Sequence, residues 1–434
     1  MRGARKASVA LFGSAALLAL QVATASPPAR PADSGFSFVV YGDSRTMFYL
    51  PYKSDQEVEA RRLLAEMFEL VLPKKEAEAV VEKHVKFIYD PTTRELAQIV
   101  MPFDTASEVT TLTIDKGWAT KASVEDVKLL PGVHRTMFEL RGGQWVAREI
   151  VQSVKSGQAK FILHTGDLVW WGKQAHVPSD NKYWQLLNDE VIGRLPAPDD
   201  QLRAAGLAGR FFTAVGNHEV WEDSNAEGFF SAFPYLKQMG VTQDHLIYKF
   251  DYNGARFISL WTGKYEETKP TAWAATRPPY EDQMRQLRQW LDEAKSAGIR
   301  KVFISFHSPV FCRSGMGPLP EAQNPHKILR SYAKDLDIVV FNGHVHTTEI
   351  YEVDGIKYLV LGAGGAEQDP ILPGRTSINR LPADYPPNLY TKPEPPNEEY
   401  SYVVVDVEPG QKTQFTVHRF RPWSDKPFES VKLW

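Results

Sequence analysis

Apolar residues fall along this chain in continuous runs, and five of those runs end on residues that can bind a metal ion. Phe36 to Tyr41 runs into Gly42-Asp43-Ser44-Arg45, Phe161 to His164 into Gly166-Asp167, and Phe211 to Val215 into Gly216-Asn217-His218-Glu219. Val302 to Phe306 runs into His307, and Ile338 to Phe341 into Gly343-His344-Val345-His346. Unbroken apolar runs of this length are the pattern of strands covered on both faces. Helices are expected before three of them: Trp145 to Val154, Tyr280 to Ala297 and Pro325 to Lys334. In the second, Gln283, Leu287, Trp290, Leu291 and Ala294 share one face. Strands alternating with helices indicate α/β layers. Ligands in such sheets collect beyond the carboxyl ends of strands, where all five islands fall.

Residues 50–140 break this rhythm. Ser54-Asp55-Gln56-Glu57 is a capping box that opens a helix to about Val71, and a second helix is expected over Lys75 to His84. Strand-like runs follow at Lys86 to Tyr89, Leu96 to Met101 and Val109 to Ile114. The stretch is a small α+β insertion after the first strand, leaving the main domain (34–365) beside Asp43. Residues 366–398, rich in Pro and polar residues, are expected as a long irregular loop. Ser401 to Val407 and Gln414 to Phe420 then form a closing hairpin, so 366–434 extends the same domain. Gly362-Ala363-Gly364-Gly365 follows a strand at Tyr358 to Leu361; no helix with a Lys follows it, so it is not a nucleotide loop.

Composition adds a location and removes some partners. Arg2, Arg5 and Lys6, the apolar run Ala7 to Val22, and Ala23-Thr24-Ala25 have the order of a secretory signal over residues 1–25. A retained membrane anchor is the alternative, but the run is short for a span of about 20 residues. Loss of the signal would remove three bases from a chain of formal net charge −3. An acidic mature protein argues against a nucleic-acid surface. Cys312 is the single cysteine, so no intrachain disulfide forms, which a domain of this size tolerates outside the cytosol. The expected destination is a bacterial periplasm, with no membrane contact after the signal is removed. Oligomeric state has no signature in the sequence.

Gathered by a sheet, the islands supply carboxylates, an amide oxygen and imidazoles, the mixed donor set of hard-to-borderline divalent cations. Phosphate-ester hydrolysis needs a strong nucleophile and charge neutralisation, and two cations about 3.5–4 Å apart supply both. The order Asp, Gly-Asp, Gly-Asn-His-Glu, His, Gly-His-x-His resembles the calcineurin-like metallophosphoesterase superfamily over residues 36–365, apart from the insertion. The resemblance implies a four-layer αββα sandwich with two metal ions, of which Fe, Mn and Zn all suit the donors. It implies that Asp167 bridges both metals, that Asn217, His307 and His344 complete the second site, and that Asp43 and His346 serve the first. His218 would protonate the leaving oxygen or steady the transition-state charge, and Glu219 would stand behind the ligands rather than take part in the reaction. A metal-bridging hydroxide would attack a small phosphorylated substrate, with a phosphomonoester favoured. A small phosphodiester is one alternative, and a non-catalytic phosphate- or metal-binding protein is another.

The chain departs from the family at one position. The usual Asp-x-His of the first block is Asp43-Ser44-Arg45 here, and Arg cannot coordinate. The Tyr that purple acid phosphatases place three residues after the second Asp is Trp170. Water fills the vacant position, or His134 or His84 of the insertion does, or the first site stays largely empty. Arg45 either grips a phosphate oxygen or pairs with a site carboxylate. Packing is the expectation for His164, Trp170, Trp171, Trp184 and Trp221. Lys173 and Arg313, in loops after motif blocks, are expected as solvated surface charges, with approach to a phosphate as the alternative; surface or loop positions are expected for His176, His245, His326 and His418.

Overall fold

The computed structural model describes residues 35–44, 53–68, 73–102, 108–115, 118–126, 140–169, 172, 182–220, 223, 225–262, 278–314, 317–366, 381–390, 399–421, 426 and 428–434. Strand β1 (Phe36–Tyr41) leads to the insertion: helices α1 (Glu57–Phe68) and α2 (Lys74–His84), then strands β2 (Lys86–Tyr89), β3 (Leu96–Pro102), β4 (Glu108–Asp115) and β5 (Trp118–Asp126). Helix α3 (Leu140–Lys155) returns the chain to β6 (Ile162–His164). Helices α4 (Lys182–Glu190) and α5 (Asp200–Ala204) precede β7 (Phe211–Thr213), and α6 (Glu227–Ala232) precedes β8 (Tyr248–Tyr252) and β9 (Ala255–Ser259). Helix α7 (Tyr280–Ser296) feeds β10 (Lys301–Ser305), and α8 (His326–Tyr332) feeds β11 (Asp337–Asn342). Strands β12 (Thr348–Val353), β13 (Ile356–Leu361), β14 (Tyr400–Val407), β15 (Gln414–Phe420) and β16 (Phe428–Leu433) complete the order.

Two six-stranded sheets form, ordered β16-β15-β14-β1-β6-β7 and β12-β13-β11-β10-β9-β8; the insertion has its own sheet, β2-β3-β4-β5. Strands β1, β6 and β7 are parallel, as are β9, β10, β11 and β13. The large sheets face each other across an aromatic seam. Phe38 of β1 stacks on Phe161 at 5.4 Å and meets Phe257 and Phe303 of the other sheet edge-on at 5.1 and 5.0 Å. Helix α3 covers the first sheet, with Trp145 5.6 Å from Tyr402 and 5.7 Å from Phe420. Helix α7 covers the second and buries the expected face of Gln283, Leu287, Trp290, Leu291 and Ala294. Its buried Gln283 is satisfied by the Trp261 backbone, accepting the N–H at 2.9 Å and donating to the carbonyl at 2.8 Å. The helix stops at Gly298, whose φ of +74° lets the Ile299 N–H reach the Ala294 carbonyl at 2.9 Å. These are the sheets flanked by helices that the patterning and the resemblance implied.

Several elements differ from the sequence expectation. The capping box begins one residue earlier, where Gln56 Oε1 accepts the Lys53 N–H at 3.2 Å and a 3₁₀ turn precedes α1. Helix α3 starts at Leu140, five residues before the expected Trp145. Strands β5, β8, β9, β12 and β16 were not anticipated. Two of the hairpins carry plain signals: Asn253-Gly254 and Asp354-Gly355 are both left-handed, as type I′ turns require. The closing hairpin is a three-stranded extension that joins β1 through β14. Of the expected loop 366–398, the described part 381–390 is irregular and shields the edge strand β12: the Leu389 N–H donates to the Ile350 carbonyl at 2.7 Å, and the Ile350 N–H to Asn388 Oδ1 at 3.0 Å. Covering an edge this way blocks sheet-to-sheet aggregation. The expected signal at 1–25 lies outside the described residues, among which no helix is long and apolar enough to cross a membrane.

Phe38 joins both sheets, so Phe38→Ala should cost about 3–5 kcal/mol of unfolding free energy. Urea denaturation followed by tryptophan fluorescence checks this.

Candidate metal centre

The parallel strands of both sheets end on the same side, and their turns interlock there. Asp43, Asp167 and His344 all have left-handed backbones, with φ of +55°, +59° and +71°. Such backbones cost about 1–3 kcal/mol each and persist where neighbours over-determine them. The neighbours here are each other. The Asp43 N–H donates to the Gly166 carbonyl at 3.0 Å. The Asp43 carboxylate accepts the His344 N–H, at 3.0 Å to Oδ1 and 2.9 Å to Oδ2, which ties the first sheet to the second. Asp167 Oδ1 accepts the His218 N–H at 3.0 Å. Glycine makes this closeness feasible: a Cβ on Gly166 would lie 2.8 Å from Gly216 N, and one on Gly364 would lie 2.1 Å from the Gly42 carbonyl. The Gly362–Gly365 turn therefore seats β13 beneath the first block.

The side chains converge. Asp167, His307 and His344 present ligand atoms all within 4.8 Å of one another, and all three residues are buried. Asp167 Oδ2 is 3.2 Å from His307 Nε2 and 3.6 Å from His218 Nε2, and His307 Nε2 is 3.2 Å from His344 Nδ1. His346 Nε2 is 3.6 Å from Asp43 Oδ1. Asn217 is buried on the loop that carries His218. His307 Nδ1 lies 3.0 Å from the Thr165 carbonyl, which only accepts, so Nδ1 carries a proton and Nε2 faces Asp167 and His344. Burial pulls the His307 pKa down, but the charges of Asp167, Asp43 and Glu219 outweigh it and push it up to about 9. The cluster therefore favours added positive charge.

Glu219 supports this centre without facing a reacting group. Its fully buried carboxylate accepts N–H groups from Asp167 (3.0 Å), Leu168 (2.5 Å) and Gly216 (2.6 Å), stapling the second block to the third. Burial and then Asp167 raise its pKa to about 7, opposed by His307 and the amides.

Residues 133–348 match the calcineurin-like phosphoesterase family. The chain belongs to that family. The match starts beyond Asp43 and beyond strands β2–β5 of the insertion. Among solved structures, this calcineurin-like phosphoesterase is similar to a purple acid phosphatase from yellow lupin (Lupinus luteus) seeds, at 14% identity over 75% of this chain and 58% of that one, TM-score 0.43. It is also similar to a dimetal phosphatase from Danio rerio (10% identity, 93% of this chain, 99% of that one, TM-score 0.41). A third is GAP50, the anchor in the inner membrane complex of Plasmodium (15% identity, 68% and 84%, TM-score 0.41). The chain thus spans 58% of the lupin protein. No curated protein matches it.

The donor set fits the metal centre that the family implies: carboxylate and imidazole lone pairs converge in a buried, electronegative site. Arg45, His134, Trp170, Trp171, Lys173, His176 and Trp221 lie outside the described residues. His84 is exposed at the end of α2 and is absent from the metal-holding group found among the described residues. Trp184 is a packing residue, its Nε1 donating to the Gly172 carbonyl at 2.8 Å. Three other residues depart from expectation. Arg313 clamps the 381–390 loop through the Tyr385 and Pro386 carbonyls at 3.2 and 3.1 Å. His326 opens α8, its Nδ1 2.7 Å from the Tyr358 hydroxyl. His418 lies within β15, stacked on Tyr402 at 4.9 Å.

Replacing Glu219 with Ala strands three amide donors. An unmet buried donor costs about 1–3 kcal/mol, so Glu219→Ala should lose at least about 2 kcal/mol of stability in urea titration, with secondary structure preserved by circular dichroism.

Proposed function

We propose that this chain hydrolyses a small phosphate ester, a phosphomonoester in preference to a diester. The convergence of Asp167, His307 and His344 within 4.8 Å in a buried, electronegative site is the observation that supports it. Bound cations would supply charge neutralisation and an activated water. Asp167, Asn217, His307 and His344 would hold one, and Asp43, Asp167 and His346 the other. His218, whose Nε2 lies 3.6 Å from Asp167 Oδ2, would give its proton to the leaving oxygen. Arg45 would hold a phosphate oxygen, and the insertion would act as a lid that favours small substrates. Residues 1–25 would direct the protein to a periplasm, where cell fractionation should find it.

Turnover of an aryl phosphate monoester should exceed that of a bis-aryl diester when the two are compared across Mn, Zn, Fe, Co and Mg, and a chelator should abolish it. Metal uptake without hydrolysis would favour the binding-protein reading, which the Arg45 departure motivates. The same panel run on Arg45→Ala tests the phosphate grip, and run on a chain lacking 50–135 it tests the lid; unchanged kinetics would end either idea.

General acid catalysis contributes about 10²–10⁴-fold. His218→Ala should therefore lower kcat by about that factor on an alkyl phosphate and much less on a nitrophenyl phosphate, whose leaving group needs no proton. Equal losses on both substrates would exclude the acid role.

A further inference from the structure

His164 belongs to no reacting group, yet its ring touches both carboxylate-bearing turns. It is fully buried at the end of β6. Its Nδ1 lies 3.0 Å from the Gly166 amide nitrogen, and its Nε2 lies 3.2 Å from Ser44 Oγ. An amide N–H only donates, so Nδ1 keeps its lone pair and the neutral ring carries its proton on Nε2. That proton is donated to Ser44 Oγ. Tyr41 meets the imidazole edge-on at 4.4 Å and Phe211 stacks against it at 5.7 Å, which holds the ring in place. Gly166 precedes Asp167, and Ser44 follows Asp43. One imidazole therefore spans the turn of the first block and the turn of the second. Both turns hold an aspartate in the left-handed region, a conformation that needs outside support.

We propose that His164 is a positioning residue for the metal centre. As the Nε2–H tautomer, it fixes the separation of the Asp43 and Asp167 turns before any cation arrives. The proposal rests on the metal-centre reading above, and it differs from simple core packing in requiring both ring nitrogens.

The test is calorimetric titration of the metal-free full chain with Mn²⁺ or Zn²⁺. Ser44→Ala removes the acceptor and leaves the imidazole in place; it should weaken binding about tenfold or more, the scale of lost support to a ligand. His164→Asn retains an acceptor near Nδ1 but falls short of Ser44, and should match Ser44→Ala. His164→Phe keeps the packing and loses the bonds to both turns, together with the 3.5 Å contact between Nδ1 and Thr213 Oγ1, so it should bind more weakly still. Adding Ser44→Ala to His164→Phe should bring no further loss, because their shared bond is already gone. In the metal-free protein, the Gly166 amide should exchange hydrogen faster in His164→Phe and at the wild-type rate in Ser44→Ala. Wild-type affinity in Ser44→Ala and His164→Asn, or losses that add in the double variant, would overturn the proposal while leaving the metal centre standing. A wild-type chain that takes up no cation would overturn both. If His164→Phe does not fold, the Asn and Ala variants decide the question.

Discussion

The structure depends on the bond between the Asp43 carboxylate and the backbone N–H of His344. It joins the end of β1 in one sheet to the end of β11 in the other. Burying a carboxylate is expensive unless its lone pairs are met, and here a backbone amide of the opposing sheet meets them. The same contact seats the turn of His344, whose ring faces Asp167 and His307. The aromatic seam behind it adds apolar burial, but it is broad and non-directional. The polar contacts between turns are what convert two packed sheets into one site.

Rigidity follows from the way these turns are built. The ligand-bearing residues sit in backbone conformations that they would not choose alone, and glycines at 42, 166, 216, 343, 362 and 364 allow main chains to pass where a Cβ would collide. Glu219 then binds three amides with one carboxylate. A site held by main-chain contacts needs little rearrangement when charge arrives, which is the condition for strong electrostatic action.

Much of this was legible in the chain itself. The parallel strands, the exposed and buried faces of α7, and the blocks at Asp43, Asp167, Asn217, His307 and His344 follow from apolar runs that end in polar donors. The short edge strands escaped because β8, β12 and β16 mix polar and apolar residues, although Asn253-Gly254 and Asp354-Gly355 marked two of their turns. His164 packs in the core as its apolar run implied, but periodicity reports which face a residue occupies and says nothing of its ring nitrogens. The roles of Arg313 and His326 depend on partners 28 to 73 residues away, which no local pattern contains.

Strand β1 lies between β6 and β14, and Ser37 bonds Asp406, 369 residues further along. Strand β1, made early, therefore waits for β14, made late, before its sheet can close. Pairings this distant in sequence form late and slowly. Vectorial synthesis leaves Asp43 without its final surroundings until the C-terminal segment has emerged. A nascent chain with this wiring leaves one edge of β1 open to wrong partners until β14 arrives to cover it.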